Sequence, residues 1–213
     1  LQKLFKIEKK KISVISCAAS EIFRPLEKEN LERFAEEKKI PGKFILAVGT
    51  LEPRKNYHVL LKSFAQLHKK FSDLSLVIIG SKGWHYSEIF HTIENLKLQK
   101  MIHFQQYLST EDLVHYYNLA EMLVYPSLYE GFGMRPLEAM QSGCPVITSN
   151  SASMPEVVGN AALLVDPENQ NDILEKMEKL LTNDGLKKEM IKKGIEQSQK
   201  FSWKKSADKM LGI

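Results

Sequence analysis

The chain has 213 residues, 43% hydrophobic and 26% charged, with 11 Gly, 8 Pro and 2 Cys, which excludes a disordered, collagenous or disulfide-stapled chain. At roughly 100 to 200 residues per domain it makes one large domain, or a domain with an appendage, that needs no covalent staple. Lys and Arg total 30 against 26 Asp and Glu, and the excess is frontal: residues 1 to 70 hold 16 basic and 8 acidic side chains, with Lys9, Lys10 and Lys11 the densest run.

In chain order, the apolar run Ile12–Ser16 precedes a helical pattern over 27–38, and Phe44–Gly49 precedes one over 56–69 that places Val59, Leu60, Phe64 and Leu67 on one face. Leu74–Gly80 then precedes 85–97, and Met101–Phe104 precedes 109–119, which opens with Ser109 and Asp112 in a capping-box-like start. Met122–Tyr125 precedes 135–142, Pro145–Thr148 is followed by Ala161–Val165, and helical patterns close the chain over 170–181, 185–198 and 202–211. Most of the apolar runs are continuous, as in strands buried on both faces. Strand alternating with helix predicts an α/β fold with a doubly wound parallel sheet, which binds ligands beyond the carboxyl ends of its strands.

The loops that follow strands therefore carry the chemistry. Thr50 to Asn56 sets Arg54 and Lys55 at a helix N-terminus, which reads either as a phosphate site or as an exposed turn with Pro53 as breaker and Asn56 as cap. Pro126 to Glu138 carries the glycine pair Gly131 and Gly133, which lets backbone approach a ligand, and Pro136, suited to a first helical turn whose free amides receive a phosphate or hydroxyl. Glu130 and Glu138 flank that turn, one placed to face a reacting group and the other a polyol. A nicotinamide enzyme is disfavoured, because the third position of a dinucleotide fingerprint is Pro136 and the loop follows a late strand. Gly80 to Trp84 covers a ligand or simply turns the chain. Gln105, Gln106, Tyr107 and Leu108 either read the edge of a base through their backbone or form a plain connection. The six histidines lack metal-ligand spacing, His85 lying nearest a ligand-edge loop, and no serine sits in a GxSxG elbow.

Together these loops resemble a known set. Glu130-Gly-Phe-Gly-Met-Arg-Pro-Leu-Glu138 with Ala139 to Ile147, preceded by Val48 to Asn56, Gly83-Trp84 and Tyr125-Pro126-Ser127 and followed by Met154 to Gly159, looks like the signature of the retaining glycosyltransferases of family four (glycosyl transferase group 1). The resemblance covers roughly residues 11 to 211 and implies the C-terminal, donor-binding lobe of a GT-B fold. Residues 1–25 would be the interlobe strand and linker and 26–213 the nucleotide-sugar-binding Rossmann-like domain, with the N-terminal acceptor lobe absent.

By the same resemblance Glu130 contacts the donor sugar near the reacting centre, Glu138 holds the ribose hydroxyls, and Gly131, Phe132, Gly133 and Met134 offer amides to the sugar and diphosphate. Lys55 neutralises the diphosphate leaving group, Tyr107 and Leu108 lie at the base, and no metal is expected. Cations and amides aimed at a departing phosphate oxygen are worth about 3 kcal/mol per good donor. Thr50 stands where many members have Arg, so Arg54 supplies that cation. Arg135 stands where a small or apolar residue is common, and either touches the donor or sits on the helix surface. Gln106 and the Cys17-Ala18 pair also depart from the family pattern.

The expected function is donor binding in a retaining hexosyltransferase that moves mannose from GDP-mannose, or glucose or another hexose from a UDP-sugar, to a glycan or lipid-linked acceptor held by the missing lobe. A noncatalytic nucleotide-binding module and a sugar-nucleotide epimerase are the alternatives. The start at Leu1 without Met implies a fragment of a longer polypeptide, one that binds the donor but hardly turns it over alone. Cys17 and Cys144 lack a CxxC partner, which suggests neither zinc nor a disulfide and fits a reducing, cytoplasmic setting. No apolar run of about 18 residues and no secretory pattern occur. The basic front reads as a solvated face or as a peripheral contact with anionic lipid at the inner membrane face or with an acidic partner. Nucleic acid is not an expected partner, for no aromatic-plus-basic module accompanies the charge.

Overall fold

The computed structural model describes residues 2–212. Six strands form one sheet: β1 (Lys43–Val48), β2 (Leu74–Ile79), β3 (Ile102–Gln105), β4 (Met122–Tyr125), β5 (Val146–Ser149) and β6 (Leu163–Val165). Every pairing is parallel and the spatial order is β3-β2-β1-β4-β5-β6. The fold class is thus the doubly wound α/β sheet, and the order reverses between β1 and β4. The adjoining crevice at the strands' carboxyl ends is the place where such sheets take ligands.

The helices are α1 (Gln2–Phe5), α2 (Lys28–Lys38), α3 (Tyr57–His68), α4 (Ser87–Asn95), α5 (Thr110–Leu119), α6 (Met134–Gln141), α7 (Met154–Val158), α8 (Gln170–Thr182), α9 (Asp184–Ser198) and α10 (Trp203–Leu211). Continuous apolar strands follow from cover on both faces. Phe44, Leu46 and Val48 join one core with Tyr117, Leu137 and Met140, while Ile45 and Ala47 join the other with Leu60, Phe64 and Met177. Ser109 caps α5, its Oγ accepting from Asp112 N at 3.0 Å, as the spacing predicts. No helix among the described residues is long and apolar enough to cross a membrane.

Apart from one run, the predicted elements form with ends shifted by no more than about two residues, the usual fraying of element boundaries. The exception is Ile12–Ser16, expected as a strand, which forms no ladder; Val14 is exposed, and the Ser16 carbonyl accepts instead from Ser206 Oγ of α10 at 2.6 Å. An apolar run becomes a strand only where a neighbouring edge offers donors and acceptors, and this segment pairs with no strand among the described residues. The stretch behind it is nonetheless anchored: Phe23 packs edge-on against Tyr117 at 5.9 Å, and Leu26 N donates to Asn118 Oδ1 at 2.8 Å. The short α1 and α7 and the 3-10 turns Lys9–Lys11 and Pro53–Lys55 have no periodicity to announce them.

Burial pushes the Cys144 thiol up to about 12, whereas Cys17 is only half-buried. In the native protein a thiol reagent is expected to label Cys17 alone, and Cys144 only after denaturation. Rapid labelling of both at neutral pH would contradict this packing.

Candidate functional site

The crevice at the β1/β4 boundary is assembled from loops stitched to each other. Asn56, buried and left-handed at φ 59°, turns its side chain away from the helix it precedes and donates to the carbonyls of Pro126 and Pro167 at 3.1 and 2.6 Å. The Arg54 carbonyl accepts from Ser127 Oγ at 3.0 Å and from Leu128 N at 2.9 Å. On the other flank β2 ends at Gly80, where any Cβ would lie 1.9 Å from the Gly49 carbonyl oxygen, so only glycine permits the loops after β1 and β2 to touch.

Within this frame four donors converge on a single carboxylate oxygen. Glu130 Oε1 accepts from Lys55 Nζ at 2.5 Å, Tyr125 OH at 2.7 Å, Ser127 Oγ at 2.7 Å and Arg54 Nη1 at 2.8 Å. Lys55 also donates to Tyr125 OH at 2.6 Å, and Arg54 to Glu52 at 2.7 Å and to the Tyr129 carbonyl at 2.7 Å. Among the described residues no donor reaches Glu130 Oε2. Burial alone would raise the Glu130 carboxyl, but the bonds from Lys55, Tyr125, Ser127 and Arg54 outweigh it and hold it at about 2. Burial first, and then the Glu130 charge, pushes the Tyr125 phenol above its usual range, so it serves as a neutral donor.

Arg54, Lys55, Tyr125 and Glu130 wall a cleft of about 280 Å³, lined also by Gly49, Thr50, Phe132, Gly133, Met134 and Arg135. At its edge α6 begins after Gly133, whose φ of +118° favours glycine. No side chain caps α6, and no acidic residue stands in its first turn. Ser153 Oγ donates to the carbonyls of Glu130 and Phe132 at 2.9 and 2.7 Å and so fixes the loop that leads into the helix.

A second cavity of about 210 Å³ shares Gly49, Thr50 and Arg135 with the first and is lined by Gly80, Ser81, Gln106, Tyr107 and Leu108. Glu138 lines neither cavity; it is 6% exposed, and its Oε2 accepts from the buried Tyr117 OH at 2.9 Å and from Arg135 Nη1 at 2.8 Å, which ties it to the shared Arg135. A larger cavity, about 480 Å³ between the linker and the start of α10, shares no lining residue with these two.

Lys55, Arg54, Glu130, Phe132, Gly133 and Met134 therefore meet at one cleft, and Tyr107 and Leu108 line its neighbour. Gly131 is exposed and outside either wall, and a Cβ built on it would meet no protein atom within 4 Å. Trp84 is exposed, and His85 contacts Glu88 at 3.5 Å and lines neither cavity. Tyr117, Tyr125, Ser127 and Ser153 were missed as contributors. Tyr125 and Ser127 could have been found as the last residue of a strand and its successor but one; Tyr117 and Ser153 carry no local signal.

Residues 28–197 match the family model of Glycosyl transferases group 1. The chain belongs to that family. This glycosyl transferase group 1 chain is 33% identical over 198 residues to the serotype-specific mannosyltransferase WbdA of Escherichia coli, covering 91% of the chain and 24% of WbdA. It is 37% identical over 161 residues to O-antigen chain mannosyltransferase B of Escherichia coli, covering 75% of the chain and 42% of that protein. The chain thus spans less than half the length of these curated relatives. The crystal structure of the C-terminal domain of the glycosyl transferase group 1 protein LpcC of Francisella tularensis superposes with a TM-score of 0.75 at 25% identity, over 86% of this chain and 97% of that one. The doubly wound sheet is accordingly that of one lobe of the GT-B glycosyltransferases.

Held at about 2 in the folded chain against an ordinary 4.5, the Glu130 carboxyl adds stability that is complete above pH 4.5 and lost as pH falls toward 2. In urea titrations across that window the native chain is expected to lose about 3 kcal/mol more than Glu130→Gln. Parallel losses would show that the cluster does not hold the carboxylate ionised.

Proposed function

We propose that the chain is the nucleotide-sugar-binding lobe of a retaining mannosyltransferase, which takes mannose from GDP-mannose, or failing that a hexose from a UDP-sugar, and passes it to a glycan or lipid-linked acceptor presented by a second lobe. The observation that carries this reading is the convergence of Lys55, Arg54, Arg135 and the uncapped start of α6 on one cleft at the topological switch point. Kinship with the serotype-specific mannosyltransferase WbdA and with O-antigen chain mannosyltransferase B supports mannose as the sugar.

In this reading the diphosphate lies against the first-turn amides of α6 with Lys55 and Arg54 beside it. Glu130, ionised at any physiological pH, accepts hydroxyls of the sugar through its unpartnered Oε2 and does not act as an acid. Phe132, Gly133 and Met134 pack along the sugar, Glu138 offers its Oε1 to the ribose, and the backbone of Tyr107 and Leu108 faces the base. As the bond from C1 to the phosphate oxygen breaks, negative charge grows on that oxygen, where Lys55 and the amides already point. The acceptor oxygen bonds to C1 on the same face, and its proton passes to the departing phosphate. The cations carry the neutralisation, and no metal is required. The exposed run Lys9–Lys11 is read as a peripheral contact with anionic lipid at the cytoplasmic membrane face.

Calorimetric titration with GDP, UDP, ADP and their sugars tests donor binding: saturable binding of a GDP or UDP ligand is expected, and none at millimolar concentration in a folded chain would overturn the reading. Lys55→Ala should weaken diphosphate binding by about 10- to 100-fold, the worth of one charge-assisted hydrogen bond, and Glu138→Ala should weaken ribonucleotide more than 2′-deoxyribonucleotide binding. Sedimentation with vesicles should rise with anionic lipid content, and indifference to lipid charge would remove the membrane contact.

A further inference from the structure

Arg135 is a residue of the cleft whose local position, inside the first turn of a helix, opposes elementary electrostatics. It occupies the second position of α6, at the positive end of the helix dipole, where a cation is unfavourable. Nothing else in that first turn is acidic. Glu138, one turn on, holds Nη1 at 2.8 Å but is itself 6% exposed and shared with Tyr117 OH at 2.9 Å, all on Oε2. Only one of the five N–H donors of Arg135 thus has an acceptor among the described residues, while its side chain remains 41% exposed. The other cations of the cleft are committed: Arg54 to Glu52, Glu130 and the Tyr129 carbonyl, and Lys55 to Glu130 and Tyr125. Arg135 moreover belongs to the walls of both cavities, together with Gly49 and Thr50, which carry no charge.

A planar guanidinium held by one corner, with its remaining donors turned to the seam between two cavities, suits a ligand whose anionic part spans that seam. We propose that Arg135 is a donor-binding residue: pinned by Glu138 Oε2, it presents its free edge to the diphosphate that joins the sugar cavity to the base cavity. The reading rests on the nucleotide-sugar function given above and deepens it. Arg135 thus joins Lys55 and Arg54 at the leaving group, as the cation of the three whose donors are least committed. Glu138 has a double duty, orienting Arg135 through Oε2 and keeping Oε1 for the ribose. The adverse helix-end charge is then relieved when the diphosphate arrives, so the violation of the local rule marks the place where the ligand completes the structure.

The test compares a nucleoside diphosphate with the nucleoside of the same base, on the 213-residue chain, using whichever of GDP or UDP the native chain binds. Arg135→Met is expected to weaken diphosphate binding by about 10- to 100-fold and to leave nucleoside binding, followed by ligand-observed NMR, unchanged. Because Arg135→Met strands the buried Glu138 charge, Arg135→Lys serves as a second variant: it keeps the pair, lacks the fork, and should give an intermediate loss confined to the diphosphate. Native diphosphate affinity in a folded Arg135→Met chain, or an equal loss for nucleoside and diphosphate, would overturn the assignment while leaving the donor-binding reading standing. A native chain that binds neither ligand overturns both.

Discussion

Lys55 and Glu130 are 75 positions apart in the chain and meet at 2.5 Å only because β1 and β4 lie side by side. Everything else at the site leans on that adjacency. The loop after β1 contributes cations, the loop after β4 a carboxylate and the entry to α6, and the sheet edge leaves a crevice between them because the crossovers run in opposite directions on either side. Asn56 and the Arg54 carbonyl then lock the two loops to each other through side chain-to-backbone bonds, so the cations cannot drift apart from the carboxylate.

The two glutamates solve the same physical problem in the same way. A buried carboxylate is costly unless several donors satisfy it, and a cluster of cations is costly unless anions balance it. Glu130 spends Oε1 on Lys55, Arg54, Tyr125 and Ser127, and Glu138 spends Oε2 on Arg135 and Tyr117. Each is therefore satisfied within the protein through one oxygen and, among the described residues, keeps the other without a protein partner. Such a site is organised before its ligand arrives, which is the condition for fixed charges to favour a departing phosphate without reorganisation when the bond breaks.

The walls combine rigidity with close approach. Gly80 lets the loops after β1 and β2 touch, and Gly133 takes a backbone angle that other residues resist, so the first turn of α6 stands at the cleft with its amides uncovered. Gly131, two residues earlier and identical in composition, does neither.

Much of the fold was legible in the chain. Continuous runs such as Phe44–Gly49 and Leu74–Gly80 foretell strands buried on both faces, because burial depends on composition at every position, and their alternation with helical periods foretells a parallel sheet. The placing of Lys55 and Glu130 on strand-following loops, and of Glu138 in the helix that follows one of them, was equally local. Four matters were decided only by tertiary structure. Ile12–Ser16 has strand composition and no edge to join. Asn56 reads as a cap, yet its amide reaches two carbonyls brought from 70 and 111 positions away. Tyr117 and Ser153 become site residues through contacts with no sequence period. Arg135 looks like a helix-surface residue until Glu138 and the two cavities surround it. Composition and periodicity determine which segments are buried and in what form, because those depend on near neighbours. Which oxygen a cation meets, and which donors stay free, depends on the order of strands in the sheet.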